Sequence, residues 1–235
     1  MRIDLNADVG EECGQDAALI RCITSANVAC GFHAGDLATM RETVLLAQDH
    51  GVAVGAHPGF LDRDQFGRRE LQLSSDEIET LVRQQIEILA GTCAELGTRL
   101  SHVKAHGALY NMAVRDRRVA NAIAQAVVCT DSSLTLVGLP ESEIIAAGAA
   151  AGLRTAREAF ADRAYRPDGT LVPRSEAGAV IHDPAEVLAR VVTLAQRPNV
   201  DTICVHGDTP GAATLAARIR AVLEDANFEL RSLCP

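Results

Sequence analysis

The chain has 235 residues, enough to bury a substantial core; 48% of them are apolar but only 3% are aromatic, and there is no Trp. Lys and Arg number 22 against 31 Asp and Glu, a formal charge of -9, which gives no support to binding of nucleic acid or an acidic membrane. No stretch approaches the roughly 18 continuous apolar residues of a membrane span, and the opening MRIDLNADVGEE lacks the apolar region of a signal peptide, so a cytoplasmic location is expected.

In chain order, short β-like runs alternate with amphipathic helical stretches. The expected strands are Ile3–Ala7, Asn27–Cys30, Val52–Ala56, His102–Ala105, Leu134–Gly138, Leu153–Ala159, Thr202–Val205 and a last one at Phe228–Leu233. Asp36 is placed to cap a helix through His50, with Gly51 ending it. Ser74 and Glu77 have the spacing of a capping box, and an apolar stripe from Ile78 to Leu96 follows, stopped by Gly97. Pro140 and Pro184 sit where a first helical residue is expected. Thr209 and Pro210 are expected to open a helix whose inward face is Ala213, Ala216, Ala217, Ile219 and Leu223.

Strand–helix alternation through the whole chain predicts a parallel sheet with helical crossovers. We expect α/β architecture, one (β/α) barrel of seven or eight parallel strands forming a single domain over 1–235, with a doubly wound open sheet as the other reading. Two long irregular segments, Pro58–Leu73 and Phe160–Ile181, are expected to be active-site loops.

The polar residues gather at the expected strand ends. The first strand leads to Asn6, Asp8, Glu11 and Glu12; the second to His33 and Asp36; the third to His57, Asp62, Asp64, Arg68 and Arg69. The fourth leads to Lys104, His106, Tyr110 and Asn111, the sixth to Glu158, Asp162, Arg163 and Tyr165, and the seventh to His206, Asp208 and Thr209. Four of the seven His therefore stand just past strand C-termini, where parallel barrels and open α/β sheets alike place their ligands. Asp36 and Thr209 are equally well explained as helix caps. Lys104 points to a paired carboxylate or a ligand, because burying an unpaired Lys is strongly unfavourable. His50, His102 and His182 lie before or away from these ends and are read as structural.

Seven Cys, at 13, 22, 30, 93, 129, 204 and 234, are odd in number and show no C-x-x-C spacing. Reduced and mostly buried thiols are expected, with Cys13 the exception in a polar segment. No P-loop and no G-x-S-x-G elbow occurs. Two chemistries stay open for the pocket: a divalent metal held by Asp8, His33 and His57, or metal-free acid–base and electrostatic catalysis by His, Glu158 and Lys104.

Six blocks carry a resemblance: DLNADVGE, ANVACGFHAGD, GAHPGF followed by FGRR, VKAHGALYN, EAFADRAYRPDGTLVPR and VHGDTPGA, running in this order from Asp4 to about Ala212. Together they resemble the LamB/YcsF family. Ala7 stands where the family often has Cys, which argues against a thiol nucleophile there, and Ala105 where it often has Pro. The resemblance implies a barrel akin to the glycoside hydrolase and deacetylase barrels. It implies the role of an A subunit in ATP-dependent cleavage of 5-oxo-L-proline to L-glutamate, together with B and C subunits. ATP is then the expected cofactor, with a divalent ion either as Mg with the nucleotide or bound at the site, and a homo-oligomer is compatible with it. The residues expected to act are Asp8, His33, His57, Lys104, His106, Glu158 and His206, with Asn6, Asn111, Arg163, Arg174 and Asp208 binding substrate. A metal-dependent deacetylase or amidohydrolase acting alone is the alternative, and a non-catalytic, scaffolding chain a third.

Overall fold

In the computed structural model, which describes residues 1–233, seven parallel strands close into a barrel. They are β1 (Arg2–Val9), β2 (Ser25–Ala29), β3 (Ala53–His57), β4 (Leu100–Lys104), β5 (Thr135–Gly138), β6 (Arg154–Phe160) and β7 (Thr202–Val205). Each pairs with the next, β7 pairs with β1, and β1 with β2, so no edge is left in the ring. The expected eighth strand is reduced to β8 (Glu229–Leu230), which pairs only with Arg2 and Ile3 at the start of β1. The parallel barrel, rather than the open sheet, is therefore the architecture.

Helices cover the outside: α1 (Asp16–Ile20), α2 (Leu37–Asp49), α3 (Ser75–Glu95), α4 (Gly107–Arg115), α5 (Arg117–Asp131), α6 (Glu143–Ala150), α7 (Pro184–Ala195) and α8 (Ala212–Asp225). Asp36 caps α2 through the Thr39 amide, and Ser74 with Glu77 forms the complete capping box of α3. Pro184 is in the first turn of α7, behind the Asp183 cap. Pro140 does not open α6. Glu141 takes a left-handed φ of 60°, which interrupts any helix begun at Pro140, so α6 starts after Ser142. Similarly, Gly211 at φ 79° separates Pro210 from α8, and Ala217 is exposed where Ala212 is buried.

Strand alternation sorts the core into two materials. Leu5, Ala7, Ala26, Val28, Val54, Ala56, Val103 and Ile203 are buried and apolar, and belong to the continuous hydrophobic core with the helices. The alternate positions, Asp4, Asn6, Asp8, Ser25, Asn27, His102, Lys104, Glu158 and Thr202, are buried and polar and bond one another inside the ring. Barrel interiors are packed by side chains, and this one is filled with hydrogen-bonding groups. His102 fits because β3 carries Gly55 opposite it: a Cβ there would lie 2.1 Å from His102 Nε2. Its ring bonds Asn27 Oδ1 at 2.9 Å, and burial, then Lys104 and His57, push its pKa down to about 3.

At the N-terminal end of the strands, the Asp4 carboxylate accepts from Ser25 at 2.6 Å, Thr24 at 2.7 Å and Thr202 at 2.5 Å. Burial nonetheless outweighs these hydroxyls and raises its pKa to about 6. A raised folded pKa means stability that is complete below the unfolded value near 4 and is lost as pH climbs through about 6. Urea denaturation across that window is expected to show a fall of up to about 3 kcal/mol that Asp4→Asn largely removes. An identical slope in the variant would reject this assignment.

Candidate functional site

The C-terminal ends of the strands open into a cavity of about 590 Å³. Its floor is made by Asp8, the last inward residue of β1, and Lys104, the last residue of β4; His57 closes β3 and His206 follows β7. Its walls come from α4, through Tyr110 and Asn111, and from the 160–181 segment, through Arg163 and Arg174. Both segments expected to be active-site loops border the site, Arg68 and Glu70 representing the 58–73 segment.

Lys104 is the hub of the floor. Its Nζ lies 2.9 Å from Asp8 Oδ1, 3.0 Å from Glu158 Oε1 and 3.0 Å from Cys204 Sγ. Burial alone would lower its pKa, but Asp8, Cys204 and Glu158 overcompensate and hold it well above the ordinary value. Asp8 is the mirror image: burial raises it, yet His57 and the Lys104 ammonium beside it hold it well below the usual carboxylate range. Glu158 and Asn6 do not reach the cavity. They lie beneath it, with Asn6 Nδ2 3.1 Å from Glu158 Oε1, and serve to position the lysine.

A second group stands beside this floor. Gly10 at φ 71° and Glu12 at φ 61° turn the chain after β1 so that Glu11 points inward. Glu11 Oε1 lies 3.3 Å from His33 Nε2, 3.4 Å from His106 Nδ1 and 4.0 Å from His57 Nε2, and all four side chains are buried. His57 Nδ1 faces the Lys104 carbonyl at 2.7 Å and His106 Nε2 the Phe66 carbonyl at 2.8 Å. Burial, then Asp8 and Asp208, push the Glu11 pKa well up; burial, then His33 and His57, push His106 well down. This cluster could hold a metal ion. Of the three residues first considered as ligands, Asp8 stands 3.5 Å from His57 but is not in the group around Glu11.

A third unit adjoins the floor on the β7 side, where His206 comes within 4.8 Å of Asp8 and Cys204. His206 Nδ1 is 3.0 Å from each oxygen of Asp162, and its ring stacks on Phe160 with centroids 5.2 Å apart. Burial raises Asp162, but His206 beside it, with its hydrogen bond, prevails and keeps it below its ordinary value. A carboxylate taking Nδ1–H leaves Nε2 as the basic nitrogen. Asp208 pairs with Arg68 at 2.5 Å and approaches Arg174 at 3.8 Å at the cavity rim. Arg163 lines the cavity, but its Nε and Nη2 bond the carbonyls of Ala179 and Val172, so it chiefly pins its own loop.

Sequence reasoning singled out the four histidines, Asp8 and Lys104, and the structure brings all of them to this end of the barrel. It left Glu11, Arg68, Tyr110 and Asp162 among loop residues without a role, and counted Cys204 as an inert thiol. Their nearness to the strand ends was the only signal. Cys13 is half-buried, with its thiol pushed up to about 11 by burial and Glu11, and is no thiolate nucleophile. Only Cys30, Cys93 and Cys204 are buried among the described cysteines, fewer than expected, and no disulfide occurs among them; Cys234 lies outside the described residues. His50 and His182 are exposed and away from the cavity. No helix among the described residues is long and apolar enough to cross a membrane.

Comparison with known proteins agrees with this architecture. The chain is 51% identical to the 5-oxoprolinase A subunit of Methylococcus capsulatus, over 98% of this chain and 95% of that protein. It is 49% identical to the one from Rhodopseudomonas palustris strain BisB18, over 96% of each. The crystal structure of the lactam utilization protein from Thermus thermophilus superposes with a TM-score of 0.92 at 43% identity, covering 99% of this chain and 100% of that one. A family 4 carbohydrate esterase from Streptomyces lividans shares the fold alone, with a TM-score of 0.55 at 13% identity over 100% of this chain and 93% of that one. The model of the LamB/YcsF family matches residues 3–235, and the chain belongs to that family.

Proposed function

We propose that this chain is the A subunit of an ATP-dependent 5-oxoprolinase, which opens the lactam ring of 5-oxo-L-proline to give L-glutamate in company with B and C subunits. The observation that carries the reading is near-full-length identity of about half to proteins named as A subunits of 5-oxoprolinase. The site's chemistry supports it. A lactam is a poor electrophile, and transfer of a phosphoryl group from ATP to its oxygen would activate the ring carbon. Arg68 and Arg174 at the rim suit the phosphate or the substrate carboxylate. Asn111 lines the cavity, and its side-chain amide would offer a polar contact to the ring amide. His206, oriented by Asp162, takes the proton from the attacking water, and the same imidazolium can return it to the ring nitrogen as the C–N bond breaks. This leaves γ-glutamyl phosphate, whose acyl–phosphate bond a second water cleaves to give L-glutamate and inorganic phosphate. Lys104, held between Asp8 and Glu158, supplies positive charge where negative charge develops.

The buried histidine–glutamate cluster favours one competing reading, a metal-dependent amidohydrolase acting alone. One assay separates the two. The chain is purified alone and mixed with candidate B and C subunits, and glutamate formed from 5-oxoproline is measured with and without ATP. Activity confined to the ATP-containing mixture is the expected result. Ring opening or deacylation by the isolated chain without nucleotide would replace it with the second reading.

A further inference from the structure

The histidine–glutamate cluster contains a contact that ordinary hydrogen bonding does not explain. His106 Nδ1 and His57 Nε2 face each other at 3.0 Å. The other nitrogen of each ring faces a backbone carbonyl, Lys104 O for His57 and Phe66 O for His106, at 2.7 and 2.8 Å. A carbonyl only accepts, so each of those outer nitrogens carries the hydrogen. In neutral rings both inner nitrogens are then bare lone pairs pointing at one another, with the Glu11 carboxylate 3.4 Å from one and 4.0 Å from the other. Three acceptors converging in a buried space call for a shared cation. Histidines whose remote N–H is fixed by a carbonyl are the usual arrangement around a metal ion.

From this geometry we infer that Glu11 Oε1, His57 Nε2 and His106 Nδ1 form a three-ligand site for a zinc-class divalent cation, with its fourth position open to the cavity. Ions of this class hold N and O donors at about 2.0–2.2 Å, which places tetrahedral donors roughly 3.3–3.5 Å apart; the three separations here, 3.0, 3.4 and 4.0 Å, bracket that value. The two imidazole planes meet at 87°, which lets both in-plane lone pairs reach one ion. All three ligands line the cavity, whereas His33 does not.

His33 is the natural fourth candidate by distance, and its ring orientation removes it. It stacks on His106 at 3.8 Å with planes 5° apart. Lone pairs of parallel stacked rings run side by side and do not meet at one ion. Its Nε2 lies 3.3 Å from Glu11 Oε1, so His33 donates to the ligand carboxylate and orients it. Its Nδ1, which has no partner, then carries a lone pair and no orphaned hydrogen. An N₂O ligand set with one free position is that of hydrolytic zinc centres and disfavours Mg, which prefers all-oxygen octahedra. On the 5-oxoprolinase reading, the open position would face the lactam oxygen or the attacking water.

The test uses the whole chain and needs neither partner subunits nor 5-oxoproline, so its failure is distinct from failure of the functional reading. The purified chain is stripped with a chelator, dialysed against zinc and analysed for metal; a second sample is titrated with Co²⁺ and followed by visible absorption. Roughly one ion per chain and the intense spectrum of tetrahedral cobalt are expected. Glu11→Gln and His106→Ala should abolish both, while His33→Gln keeps the stoichiometry and weakens affinity by about 10–100-fold, as loss of a ligand-orienting contact does. Because wild-type uptake is read directly, a variant that fails to fold does not decide the matter. Wild-type uptake well below one ion per chain, or a six-coordinate cobalt spectrum, overturns the site.

Discussion

Replacing Lys104 by Met is expected to destabilise the chain by about 3–5 kcal/mol, because it leaves Asp8 and Glu158 buried without their shared cation. Lys104 is only 2% exposed, so water cannot take over the missing interaction. The volume is nearly conserved, which makes the electrostatic loss the dominant effect rather than a cavity. For a chain of this length a loss of that size lowers the melting temperature by roughly 6–20 °C. Adding Asp8→Asn to Lys104→Met should recover part of it, since one of the stranded charges is removed. A single variant that melts within a degree or two of the parent would show that the lysine is not the interior's counter-ion. Activity of the assembled enzyme should fall as well, because Lys104 forms the cavity floor.

The second large effect concerns His206 and Asp162. His206→Asn is expected to lower kcat of the assembled enzyme by about 10²–10⁴-fold with a much smaller change in KM, since it removes the base without touching the rim arginines. Asp162→Asn should produce a loss of the same order. An amide in that place can donate a hydrogen bond to His206 Nδ1 and so favours the tautomer that puts the proton on Nε2, where the base must be free. The two losses should not add in the double variant, because the residues act as one unit. Folding is a lesser concern here than at Lys104, because His206 borders the cavity and is 9% exposed. Full turnover by either single variant would remove the dyad from the mechanism and leave Asp8 as the acid–base group on the floor.

These two sites and the proposed cation site share a design. Each puts an ionisable group at a strand end and places its partner on a different strand or loop: Lys104 of β4 with Asp8 of β1 and Glu158 of β6, His206 after β7 with Asp162 after β6, and His57 and His106 with Glu11 after β1. Partners far apart in the chain meet because the barrel closes. Asp8 and Lys104 are 96 residues apart and still bond at 2.9 Å.

The sequence by itself determined the strand–helix alternation of a parallel sheet, most helix limits and the identity of many of the residues at the open end. That information is local. Period-two apolar runs, the Asp36, Ser74 and Asp183 caps, and a His or Lys at a strand's C-terminus are all visible within a few residues. The α4–α5 pair went unrecognised because α4 (Gly107–Arg115) begins inside the HGALYN block, His106–Asn111, whose residues read equally well as strand-end loop, and α5 (Arg117–Asp131) follows α4 after one residue. Only the tertiary structure decided the division of labour. It turned Glu11 rather than its neighbour Glu12 inward, through the left-handed backbone on either side. It sank Glu158 and Asn6 below the floor, because they lie further from the strand ends than Lys104 and His57, and committed two donors of Arg163 to its own loop. It also stacked His33 on His106 and so separated an orienting histidine from two that face a common point. A residue type at a strand end states which chemistry is available. Burial, ring orientation and which nitrogen meets a carbonyl are properties of contacts between distant segments, and these emerge only when the ring has closed.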